Sequence, residues 1–166
     1  MTSQLKDWLK AQKLLFEIIP LKPLPLNRDF FKAFRPIQTR WMDNDCYGHV
    51  NNVVYYSWFD TAVNTHLIEQ SVLDPISGSI IGFVVSSQCN YFAPIVYPQT
   101  VEAAIAVTKI GKASVEYTIG IFSQNEQLSA AWGKLVHVYV ERQSNKPVQE
   151  LPEKLKQTLH LIHATH

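Results

Sequence analysis

The stretch DNDCYGHVNNVVYYSWFDTAVNTHLIEQ, residues 43–70, joins two unlike patterns. Its first ten residues hold two carboxylates (Asp43, Asp45), a turn glycine (Gly48), a histidine (His49) and two asparagines (Asn51, Asn52). Beyond Asn52, the residues Tyr55, Tyr56, Phe59, Ala62, Val63, His66 and Leu67 fall on one broad helical stripe, with Ser57, Thr61 and Asn64 opposite. A stripe this wide and this aromatic suits a helix enclosed by a sheet rather than one lying on an open surface. Asn51 or Asn52 is a good N-cap, because an asparagine side chain accepts a bond from an unpaired helix N–H. A helix from there to about residue 70 is expected.

Working outward, residues 36–44 read as a first strand that ends at the polar loop. Residues 80–92 lack a helical period and are rich in Val, Ile, Tyr and Phe, which makes a long strand. Pro94 and Pro98 bracket a turn. Val101, Ala103, Ile105 and Val107 alternate with Glu102, Ala104, Ala106 and Thr108, and Val115, Tyr117, Ile119 and Ile121 continue that period of two after a turn at Gly111-Lys112. Residues 128–141 form the last strand, and Pro152 opens a C-terminal helix ending near Ile162. The order is one strand, one long helix, then four strands expected as an antiparallel meander. This is an α+β pattern in which a five-stranded antiparallel sheet wraps one central helix, and it excludes a doubly wound parallel sheet.

Residues 1–20 interleave Leu5, Trp8, Leu9, Leu15, Phe16 and Ile19 with Lys6, Asp7, Lys10, Lys13 and Glu17, an amphipathic helix rather than the apolar core of a signal peptide. Pro20, Pro23 and Pro25 then mark an extended connector, and a helical turn or two is expected between Arg28 and Phe34. Residues 1–35 therefore read as an N-terminal extension and residues 36–166 as the main domain. The length of 166 residues bounds the chain to one domain. Charged residues make up 17%, against roughly 25% in typical soluble domains, which points to a face buried in a homo-oligomer. Net charge is +1 without a basic cluster, so nothing supports nucleic-acid binding. No run of about 18 apolar residues crosses a membrane. The two cysteines, Cys46 and Cys89, match no metal spacing or disulfide framework, in keeping with a reducing, cytoplasmic compartment. His160, His163 and His166 crowd the tail as a solvated helix end, and neither a metal nor a cofactor is expected.

The chemistry sits in the loop. A carboxylate beside a helix N-terminus can attack a carbonyl or deprotonate water, while free helix N–H groups stabilise the developing oxyanion. Thioester hydrolysis needs those two parts. Gly48 lets the backbone turn sharply. His49 is either a substrate contact or an ordinary loop histidine, and Asp60, on the helix, is either a second carboxylate or a polar group at the edge of the apolar stripe.

The run Asp45-x-x-Gly48-His49-Val50-Asn51-Asn52-x-x-Tyr55 resembles the active-site signature of hotdog-fold acyl-CoA thioesterases of the 4-hydroxybenzoyl-CoA thioesterase family. The similarity continues through Phe92-Ala93-Pro94, Gly111-Lys112-Ala113-Ser114 and Lys146-Pro147-Val148, and covers roughly residues 36–152. The resemblance implies a hotdog fold, an acyl-CoA substrate and assembly as a homodimer or homotetramer. It implies Asp45 as the catalytic carboxylate, nucleophile or base, and the backbone N–H of Asn52 as the group that polarises the thioester carbonyl. Gly48, His49, Asn51 and Tyr55 would line the substrate. Two other functions fit the same fold: a non-catalytic acyl-CoA-binding module, and a hydratase or dehydratase acting on a carbon–carbon double bond.

Overall fold

The structure, a computed structural model, describes residues 22–164. The alternating apolar residues give β3 (Thr100–Ile110), β4 (Ser114–Ser123) and β5 (Ala131–Glu141), an antiparallel meander. β1 (Ala33–Gln38) pairs with β3, and β2 (Ile80–Tyr91) pairs with β5, so the sheet runs β1-β3-β4-β5-β2, antiparallel throughout. The long helix α1 (Asn52–Glu69) packs on one face, and a short helix α2 (Glu153–Leu161) follows β5. The five-stranded antiparallel sheet around one central helix is as the sequence implies.

Two expectations need correction. The four later strands are not a simple meander: β2 lies at the far edge beside β5, and the connector of residues 92–99 carries the chain across to β3. The first strand starts earlier and stops sooner than residues 36–44. Pro36 lies inside it, opposite Glu102, which is tolerated because β1 is an edge strand and the missing N–H faces no partner. A 3-10 turn at Trp41–Asp43 then takes over from the strand. Upstream, the helical turn shrinks to Arg28–Phe30, capped by the Asn27 side chain. The amphipathic helix expected over residues 1–20 lies outside the described residues.

α1 buries Tyr55, Trp58, Phe59, Ala62, Val63, His66 and Leu67 against the inward residues of the sheet. Phe59 lies over Gly133 of β5, where a Cβ would come within 2.4 Å of the ring and of the Gln88 carbonyl. Helix and sheet meet that closely only because β5 lacks a side chain there. The opposite face of the sheet carries a second cluster, Phe31, Ala104, Ala106 and Phe122, covered by the N-terminal segment. That segment is stitched down by Trp132 Nε1–H to the Leu24 carbonyl (2.8 Å), Leu26 N–H to Ser129 Oγ (2.9 Å) and an Arg28–Glu102 ion pair.

Two histidines are buried in this core: His66 on α1, 7% exposed, and His137 on β5, 2% exposed. The Nε2 of each has no hydrogen-bond partner among the described residues. Burial holds both below the usual histidine range; the Arg35 guanidinium adds to this at His66, and Asp60 partly opposes it at His137. Both rings therefore take up protons less readily when folded than when unfolded. Stability is full above the ordinary histidine pKa of about 6.5 and falls as pH drops from there through the lowered pKa values of the folded state. Urea midpoints at pH 7.5 and 5.5 check this: a clear fall is expected, shallower in His137→Phe, and identical midpoints would contradict it.

Candidate active site

The loop between β1 and α1 is fixed at both ends. The Asp43 carboxylate, buried, accepts from Arg40 N–H (2.8 Å) and Arg40 Nε–H (3.0 Å), and its backbone carbonyl accepts from Asn51 N–H (2.8 Å). Asn44 Oδ1 accepts from Tyr97 N–H (3.1 Å), and Val50 N–H donates to Ile95 O (2.8 Å), which ties the loop to the β2–β3 connector. Within it, Asp45 N–H donates to His49 O (2.8 Å) and Gly48 N–H to Asp45 O (3.1 Å). Gly48 has φ +83° with nothing within 4 Å of a would-be Cβ, so the glycine is demanded by the backbone turn and not by crowding.

Asp45 is half-buried. One carboxylate oxygen accepts from Tyr47 N–H (2.8 Å), and the other has no donor among the described residues. At the start of α1 the Asn51 side chain accepts from Val53 N–H, and Asn51 O accepts from Val54 N–H (2.9 Å). Asn51 is thus the cap. That leaves the N–H of Asn52, the first helical residue, without an acceptor among the described residues, in the position where the helix dipole concentrates positive charge.

A cleft of about 310 Å³ opens at this helix end, lined by His49, Val50, Asn52 and Tyr55 from the loop and helix and by Tyr91 to Pro94 from the end of β2. Its size is at the small end of the range for ligand sites. The structure therefore brings together three of the residues singled out from sequence: His49, Asn52 and Tyr55. Asp45, Gly48 and Asn51 are not among the lining residues of the cleft and are joined to its wall through the loop's hydrogen bonds.

Tyr91 was not foreseen. It lines the same cleft, donates from its hydroxyl to Asn52 O (3.1 Å) and meets the Tyr55 ring edge to face at 5.1 Å. Its signal in the sequence was only its place at the end of a strand, one residue before the Phe92-Ala93-Pro94 run. Burial raises the Tyr55 phenol to about 12 and pushes Tyr91 up further, so both stay protonated at neutral pH. Larger cavities exist elsewhere. One of about 720 Å³ lies beyond the far end of α1, but its Arg142 guanidinium is spent on the carbonyls of Gly78, Asp74 and Pro75. Lys134 is likewise held by Glu116 at 2.8 Å. No group of three His, Cys, Asp or Glu side chains able to hold a metal occurs among the described residues.

The sequence profile of the thioesterase superfamily matches residues 47–130, from the loop through to the end of the β4–β5 turn. The chain belongs to the thioesterase superfamily. It is a thioester hydrolase by that membership, and the match begins two residues after Asp45. The PA5185 protein of Pseudomonas aeruginosa is 48% identical over 86% of this chain and 99% of its own, with a TM-score of 0.82. A 1,4-dihydroxy-2-naphthoyl-CoA thioesterase from Synechocystis, 17% identical over 76% of this chain and 94% of its own, shares the fold with a TM-score of 0.69. Among curated proteins, YsmA of Bacillus subtilis is 22% identical over 131 residues, 78% of this chain and 87% of its own. No described helix is long and apolar enough to cross a membrane.

Proposed function

We propose that this member of the thioesterase superfamily hydrolyses acyl-CoA to the free acid and CoA at the start of α1. The observation that carries the reading is Asn52, whose N–H has no acceptor among the described residues, on the wall of the cleft, with the Asp45 carboxylate tied to it through one hydrogen-bonded loop. The thioester carbonyl oxygen accepts from Asn52 N–H, and the bond strengthens as that oxygen gains negative charge. As nucleophile, a carboxylate oxygen of Asp45 bonds to the carbonyl carbon, the C–S bond breaks, CoA leaves as the thiolate, and water cleaves the resulting anhydride. As general base, Asp45 takes a proton from water while the water oxygen forms the new bond. CoA as the thiol carrier finds support in the CoA ester named for the Synechocystis relative.

Thiol release from a short panel of acyl-CoA esters tests the reading, with Asp45→Asn as its control. The wild type is expected to release thiol and the variant not; a wild type that leaves every ester intact, or converts an enoyl-CoA without thiol release, would overturn it. A single turnover in ¹⁸O-water separates the two routes, since only the anhydride route can leave label in the Asp45 carboxylate.

The working unit is proposed to be a homo-oligomer. β2 is an edge strand of 12 residues that exposes Phe83, Val84 and Val85, 44%, 47% and 59% accessible, and an uncovered apolar edge this long templates pairing with another chain. Sedimentation equilibrium is expected to give a dimer or a multiple of it, shifted toward monomer by Val84→Lys. A monomeric wild type would contradict this.

A further inference from the structure

We propose that Tyr91 is a positioning residue for thioester hydrolysis: its hydroxyl clamps the first turn of α1 to the end of β2 and so aims the Asn52 N–H into the cleft. The inference rests on the function proposed above, and it adds a residue from a different element to that site.

The geometry supports a clamp. Tyr91 is the last residue of β2, paired with Ala131 of β5, and the two N–H groups after it, Phe92 and Ala93, both donate to Ala130 O (2.8 and 3.0 Å). Its backbone therefore belongs to the sheet. Its side chain reaches across to the helix, where the hydroxyl donates to Asn52 O at 3.1 Å and the ring meets Tyr55 at 87°. Tyr55 is itself buried and packed at a tilt against Trp58, so the aromatic contact sets the ring and the hydroxyl sets the rotation of the helix end.

A helix terminus needs such a tie. The first turn of a helix is where the ladder is least complete, and Asn51 caps only the N–H of Val53 and Val54. Asn52 O and Asn52 N–H belong to one residue, so holding the carbonyl restricts the swing of the donor. A tyrosine phenol is protonated at neutral pH, and the partial burial of Tyr91 shifts it further that way, so it remains an O–H donor there. The role needs no contact with substrate.

The test compares Tyr91→Phe with the wild type in the full chain. Phenylalanine keeps the ring contact with Tyr55 and deletes only the donor. With an acyl-CoA that the wild type hydrolyses, kcat is expected to fall about 10-fold or more with KM changed less than about 2-fold, since a donor that drifts loses transition-state stabilisation rather than binding. The thermal midpoint should stay within a few degrees of the wild type. Amide hydrogen exchange at Val53 and Val54, the bonded N–H groups of the first turn, should quicken in the variant while exchange in the middle of α1 is unchanged. Unchanged kcat with a lowered midpoint would make Tyr91 purely structural, and a raised KM at constant kcat would make it a substrate contact; either overturns the proposal. Exchange at Val53 and Val54 that does not respond overturns the clamp as well, and that readout is independent of activity, so a wild type that hydrolyses no thioester defeats the proposed function separately.

Discussion

Asp45→Asn is expected to lower kcat for acyl-CoA hydrolysis by roughly 10²–10⁴-fold, the usual worth of a positioned acid–base or nucleophilic group. The substitution is isosteric. Asparagine retains an oxygen to accept the Tyr47 N–H that Asp45 accepts at 2.8 Å, so the loop and its bond from Asp45 N–H to His49 O survive. What disappears is the anionic oxygen that no described donor holds. The melting temperature should therefore match the wild type while thiol release collapses. A variant that releases thiol at the wild-type rate would remove Asp45 from the chemistry and leave the helix end acting on a water activated by another group.

The second large effect is on stability. Phe59→Ala is expected to cost about 3–5 kcal/mol, because the ring is fully buried and sits directly over Gly133, where no side chain from β5 can move in to fill the void. Gly133→Val is the complementary test: its branch would meet the Phe59 ring and the Gln88 carbonyl at once, and the protein should fail to fold or accumulate aggregated. Denaturant titration of the first variant and soluble yield of the second measure this. A Phe59→Ala protein within 1 kcal/mol of the wild type would mean that α1 settles onto the sheet without the ring, and the close approach at Gly133 would lose its explanation.

Much of the architecture was legible because its signals are local. The period of two in Val101 to Val107 and Val115 to Ile121 survives as β3 and β4, and the broad stripe from Tyr55 to Leu67 survives as the buried face of α1. A cap at Asn51 or Asn52 was legible for the same reason, since capping depends on a side chain two residues from the N–H it serves, and Asn51 is the one that caps. Strand order was not. Neither β2 nor β3 carries a residue that says whether they pair, and only long-range packing places β2 beside β5. The extent of β1 was misjudged because Pro36 reads as a strand breaker until the strand is known to lie at an edge. In the candidate site, the loop residues could be singled out because they are contiguous. Tyr91 was missed because its partner, Asn52, is 39 positions away in the chain. His66 falls in the helical stripe and His137 in a strand, and nothing in either pattern discloses that both rings would be enclosed with an unpartnered nitrogen.

α1 supplies the bulk of the interior and, in the proposed mechanism, its first peptide also supplies the group that meets the carbonyl oxygen. The inner surface of that helix is therefore closed to change: a mutation that reshaped it would loosen the whole molecule before it altered selectivity. Freedom to retune acyl preference is left to the short stretch from Phe92 to Pro94 and to exposed His49, which border the opening yet lie outside both the helix and the strands. Divergence in diet among close relatives should be written in those few positions, with the scaffold behind them held nearly constant.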